Sequence, residues 1–231
     1  MIRLATKTTK RVPTAVLLSL LITLGLLAAA LPVSATTVTF NLDTEFSGAT
    51  SPSGVAPWAS VEISDLTPTS VAVTFDTFGL TASEFVSSLA LNLTPSLDLG
   101  TLVLSSFSST SSLPTYELQH DSYKMDGDGY YDLKFSWSTS QGSRFTAGSV
   151  FSFVITGLQS GDFLYYDQGG SKGDYYAAAH VQGIGTSASL SGWIGASQYT
   201  ETSNAVPEPA TLSLLGLSLL GATLAKKRKS A

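Results

Sequence analysis

Three stretches of the chain alternate apolar and polar residues with a period of two. In SVAVTFD, Val71, Val73 and Phe75 share one face while Ala72, Thr74 and Asp76 share the other. In YDLKFSW, Leu133, Phe135 and Trp137 alternate with Asp132, Lys134 and Ser136. In SVFSFVITG, Phe151, Phe153 and Ile155 fall together. A period of two puts successive side chains on opposite sides of an extended strand, so each stretch predicts a strand with one buried face. TTVTFNL, around Thr37, predicts the first strand, and further strands are expected over 90–93, 102–107, 163–166, 178–182 and 188–193. Glycine, serine and aspartate punctuate these runs as turn residues do. Eight to ten short strands without a long helical pattern read as all-β, a β-sandwich of jelly-roll type. A barrel is the alternative architecture. An outer-membrane barrel is not expected, because the strands are too short and irregular to form a lipid-facing band. One helix is expected: Thr81-Ala82-Ser83-Glu84 has the spacing of a capping box, and SEFVSSL would continue it for two turns before Pro95.

Charge narrows the partners. The whole chain carries a net charge of -5, but the cations sit at its ends. Only Lys124, Lys134, Arg144 and Lys172 lie between, against sixteen carboxylates, which leaves the central domain near -12. Nucleic-acid binding rests on Lys and Arg neutralising phosphates, so this surface repels DNA and RNA and suits divalent cations. There is no cysteine. Disulfides and thiolate metal sites are therefore excluded, and the fold must rest on its apolar core.

The ends have their own logic. Arg3, Lys7, Lys10 and Arg11 precede an apolar run over 16–31, and Val33-Ser34-Ala35 supplies the small residues of a cleavage site. This pattern predicts a secretory signal peptide over 1–35, cut after Ala35. At the other end, the run over 210–225 holds no charge and is rich in Leu, Ala and Gly. As a helix it would be ~24 Å long, a short match to a hydrocarbon core of ~30 Å. Pro207 and Pro209 mark its start, and Lys226, Lys227, Arg228 and Lys229 stop it. Basic residues flanking a span stay on the cytoplasmic side, which places the tail inside and Pro207 outside. The expected organisation is a signal peptide over 1–35, a β-sandwich over 36–196, a polar linker over 197–205 and a sorting signal over 206–231.

Val206-Pro207-Glu208-Pro209, the Leu/Gly-rich span and the basic tail together resemble the PEP-CTERM sorting domain of Gram-negative bacteria. The central stretches DGDGYYDLKFSW, RFTAGSVFSFVITG and AAAHVQGIG with SGWIGAS resemble exported proteins of that kind too, without bringing an activity. The resemblance implies processing by an exosortase-like membrane enzyme. It also implies transient residence in the inner membrane, then a place at the cell surface or in an exopolysaccharide or biofilm matrix.

Two internal motifs could carry chemistry. In DGDGYYDL, Asp126, Asp128 and Asp132 flank two glycines, a spacing close to part of a calcium loop. Lys124 and Phe135 stand where a full EF-hand loop needs ligands, and Asp121 offers a further oxygen nearby. Asp-Gly is equally a hairpin-turn signal, with or without an ion. In FLYYDQGGSKGDYYAAAH, Tyr165, Tyr166, Tyr175 and Tyr176 bracket a Gly-rich loop with Asp167 and Asp174. Tyrosines beside carboxylates suit sugar rings, but also suit a long hairpin packed over the sandwich. His120 and His180 are the only histidines, and no G-x-S-x-G elbow occurs. The sequence thus points to a non-enzymatic surface or matrix protein. The alternatives are a carbohydrate-binding module, with or without structural calcium, and a polysaccharide-active enzyme.

Overall fold

β-branched and aromatic residues at every second position draw this chain into two antiparallel sheets. A computed structural model describes residues 34–81, 83–126 and 128–205. In chain order the strands are β1 (Ser34–Leu42), β2 (Thr44–Glu45), β3 (Ala59–Thr67), β4 (Ser70–Asp76), β5 (Phe85–Leu91), β6 (Val103–Ser109) and β7 (Thr115–Lys124), followed by β8 (Tyr130–Ser136), β9 (Phe145–Thr146), β10 (Val150–Thr156), β11 (Ala177–Ile184), β12 (Leu190–Ala196) and β13 (Tyr199–Ala205). One sheet runs β13-β1-β3-β4-β10-β6, and the other runs β2-β12-β11-β5-β8-β7 with β9 beside β5. Hairpins β3–β4, β7–β8 and β11–β12 each stay within one sheet.

The alternating residues meet in one core between the sheets. Phe40, Val61, Ile63, Val73, Phe75, Phe151, Phe153 and Ile155 come from the first sheet. Leu89, Leu91, Leu133, Phe135, Ala177, Ala179, Val181 and Ile194 come from the second. Phe135 sits where the sheets interlock, with ring centroids 4.8 Å from Phe153 and 5.2 Å from Phe151. All three predicted alternating stretches bury the faces expected of them.

Three expectations are corrected. The helix after Thr81 does not form. Glu84 Oε2 accepts the Thr81 N–H at 2.8 Å, as in a capping box, and the Glu84 N–H donates to Thr81 O at 2.9 Å. That closes one turn, after which 85–91 becomes β5, hydrogen-bonded between β11 and β8. Leu89 and Leu91 enter the main core while Ala90 packs on the opposite face. Burial on both faces of a central strand outweighs the local helical signal. The polar stretch expected as a linker is the edge strand β13, next to β1. Its Tyr199 ring meets Tyr176 edge-on at 5.4 Å. The strand expected over 163–166 is instead the end of a 3-10 turn, Ser160–Phe163, and the loop beyond it. β3 and β7 fall outside the expected strands, and no residue of β7 is fully buried, although Leu118 and Tyr123 pack partly against the apolar clusters.

The predicted cleavage after Ala35 leaves every residue paired between β1 and β3, from Thr37 onward, on the exported side. Among the described residues no helix is long and apolar enough to cross a membrane. The segments 16–31, 206–209, 210–225 and 226–229 lie outside the described residues.

Candidate functional site

The two chemistry-bearing motifs, far apart in sequence, pack together. The turn between β7 and β8 carries Asp126 and Asp128, and the long loop before β11 carries Asp167 and Asp174. Reciprocal backbone hydrogen bonds between Tyr130 and Gln168, 2.9 and 3.2 Å, join them. Beneath lies a second apolar cluster of Phe46, Ala90, Met125, Tyr131, Tyr175 and Ala178. Ala90 and Ala178 stand opposite the core-facing Leu89, Leu91, Ala177 and Ala179, so this cluster covers the outer face of the second sheet.

Each carboxylate of DGDGYYDL has a different task. Asp126, at φ 50°, pairs with the Lys172 ammonium. Asp128 is fully buried, and its Oδ1 accepts the N–H groups of Ser171 and Lys172, both at 2.7 Å. Asp132 accepts the N–H groups of Leu93 and Asp121, both at 2.7 Å, and faces His120 Nδ1 at 3.4 Å. Among the described residues no three His, Asp or Glu side chains gather as metal ligands. The expected trio Asp126, Asp128 and Asp132 is therefore not brought together. Asp132 lies on β8, where Leu93 and the adjacent strand β7 consume its oxygens, while Asp126 turns to a lysine.

The four tyrosines do not form one platform either. Tyr175 stacks on Phe46 at 4.6 Å in the outer cluster, and Tyr176 stacks on Phe40 at 5.2 Å in the main core. Both are buried, because neighbours along an extended chain face opposite ways. Tyr166 is exposed and lies over Tyr176 at 4.2 Å, and Tyr165 is half-buried. Of the expected sugar platform, only Tyr166 and part of Tyr165 reach solvent.

Asp167 is the residue whose role the sequence did not disclose. It is 5 % exposed, and its Oδ1 accepts the Tyr175 N–H at 2.6 Å. Burial, with the charge of Asp128 added, pushes its carboxyl up to about 6, against the pull of that N–H. Burial and the charges of Asp167 and Asp128 also hold the Tyr131 phenol neutral, far above its ordinary range. No sequence spacing links Asp128 to Asp167; only loop packing does.

The histidines serve elsewhere. His120 Nε2 bonds the Leu97 carbonyl at 2.9 Å. That carbonyl and the Asp132 charge raise its pKa despite partial burial. His180 stacks on Trp193 at 4.5 Å, with Nδ1 2.9 Å from Ser87 Oγ. Gln182 Nε2 donates to the same Oγ at 3.0 Å.

No curated protein and no solved structure matches the chain. The family model that does match is the PEP-CTERM protein-sorting motif, over residues 205–229 at the C-terminus. The match takes up directly where β13 ends, and it includes Val206-Pro207-Glu208-Pro209 and the basic residues Lys226–Lys229. The chain carries a PEP-CTERM protein-sorting motif, the signal of an exported protein that is handled at the membrane and sorted by exosortase.

Proposed function

We propose that this chain is a non-enzymatic protein of the cell surface or extracellular matrix. Its sandwich is delivered there when exosortase processes the chain near Val206-Pro207-Glu208-Pro209, and exopolysaccharide is its surroundings. The sorting motif carries the reading. Pro207, Glu208 and Pro209 act as recognition residues, the apolar run over 210–225 holds the protein in the inner membrane, and Lys226, Lys227, Arg228 and Lys229 keep the tail on the cytoplasmic side. The acidic surface supports a location among hydrated anionic polymers and counter-cations and opposes nucleic-acid partners. The non-enzymatic part draws support from the histidines. The Ser87–His180 pair is tied to Gln182, and among the described residues no carboxylate hydrogen-bonds that imidazole. His120 is bound to a main-chain carbonyl.

The test is replacement of Pro207-Glu208-Pro209 by three alanines in the native host. Intact mass is then measured in membrane and extracellular fractions. The native chain is expected to lose its tail and leave the membrane fraction, and the variant is expected to keep the tail and stay. Equal processing and location of the two would sink the proposal.

A further inference from the structure

Two buried carboxylate oxygens in the loop pair face no donor. Asp128 Oδ2 and Asp167 Oδ2 both lack a hydrogen-bond partner, as does the buried Tyr131 hydroxyl. Asp128 and Tyr131 are 0 % exposed and Asp167 is 5 % exposed. Among the described residues no cationic side chain pairs with either carboxylate, since Lys172 is taken by Asp126. The two groups are close. The position a Cβ would take on Gly170 lies 2.6 Å from Asp167 Oδ2 and 2.9 Å from Asp128 Oδ1. A Cβ on Gly129 would overlap Asp167 Oδ2. Glycine at both positions thus leaves room for Asp167 Oδ2, and at 170 it also leaves room for the Asp128 carboxylate beside it.

Buried polar groups are nearly always satisfied, and a buried unpaired charge is costly. Two buried carboxylates close together raise that cost, because each disfavours ionisation of the other. The remaining polar atom, the Tyr131 hydroxyl, has one proton to give and cannot satisfy both. A cation resolves both carboxylates. The donors are oxygen only, which selects a hard cation over zinc or copper. Calcium accepts irregular oxygen shells, whereas magnesium demands near-ideal octahedral geometry.

We infer that Asp128 Oδ2 and Asp167 Oδ2 hold a calcium ion that pins the β7–β8 turn to the loop before β11, with loop carbonyls and water completing its shell. This ligand pair differs from the trio that the D-x-D-G spacing suggests. It excludes Asp132 and Asp126 and adds a residue from a distant loop. The inference does not rest on the sorting reading, and it is tested on protein in solution, so either can fail alone.

The experiment is thermal unfolding and calorimetric titration of the full chain in detergent, stripped with chelator and titrated with calcium chloride. The expected result is one saturable site with Kd on the order of 10⁻⁴ to 10⁻³ M, and a Tm that rises with calcium. Asp128→Asn and Asp167→Asn keep the side-chain shape and are expected to abolish the rise. Asp126→Asn, on the half-buried carboxylate paired with Lys172, is expected to keep it. Terbium luminescence of the unaltered chain guards against variants that do not fold. Emission sensitised by Tyr131 and Tyr175, and displaced by calcium, is expected. Three results would overturn the inference: no calcium response at millimolar concentration, a response that survives both asparagine variants, or an equal response to magnesium. A chain blind to calcium yet stabilised by Asp167→Asn would overturn it too, showing instead that the two carboxylates stand as an uncompensated buried pair.

Discussion

His180 shows how one side chain's setting shapes the protein's response to pH. Its ring lies against Trp193 on the outer face of the second sheet, and burial lowers its pKa from the ordinary 6.5, against the attraction of Asp126. The unfolded chain takes up a proton at the ordinary value while the folded chain resists it. The contribution of His180 is therefore complete above that value and is lost as pH falls through it toward the lowered one. His120 acts in the other sense. Its raised pKa gives a contribution present below 6.5 and lost as pH rises, but its side chain is more open to solvent, which screens it. In urea unfolding between about pH 7.5 and 5.5, the native chain is expected to lose stability relative to His180→Gln as pH falls, while His120 and Asp167, whose raised pKa values act in the opposite sense, change both chains alike. Parallel slopes for the two would contradict this account. Glu84 is fully buried, and the N–H groups of Ser53 and Thr81 donate to its carboxylate at 2.6 and 2.8 Å.

At the scale of elements, β13 and β5 carry the lesson. The residues of β13 are polar and unpatterned, and read alone they suggest a tether. Next to β1 they extend the first sheet by one strand, and Tyr199 covers Tyr176. An edge strand gains backbone pairing whatever its side chains are, which is why composition did not reveal it. Hydrogen exchange separates the two descriptions. Amides of 199–205 that pair with β1 are expected to be protected well beyond unstructured-chain rates. Exchange at unstructured rates across the whole stretch would restore the linker. β5 shows the converse: Thr81 and Glu84 make the contacts of a helix start, and the sheet still claims the segment because Phe85, Val86, Leu89 and Leu91 are buried there.

Across the whole molecule, one aromatic core holds both sheets. Phe135 of the second sheet touches Phe151 and Phe153 of the first, and Phe75, Trp137 and Phe145 continue the packing. With no cysteine, no cross-link supplements this core. Phe135→Ala is expected to cost about 3–5 kcal/mol in urea unfolding. The loss should fall on a single cooperative transition, because neither sheet keeps a complete core alone. A cost under about 1 kcal/mol would mean that the sheets do not depend on each other at this point.

The sequence by itself determined the class of fold, the absence of disulfides and the identity of the sorting motif. Each of these is written in neighbouring residues: the period of two at Val71, Val73 and Phe75, the missing thiols, and the contiguous run from Val206 to Lys229. Only the tertiary structure decided that β5 is a strand, that β13 belongs to a sheet, that Tyr175 and Tyr176 are buried on opposite sides, and that Asp128 stands beside Asp167 rather than Asp132. Those outcomes depend on contacts between segments distant in the chain. A carboxylate's surroundings are set by which loops the sheets bring together, and spacing within one loop does not encode that.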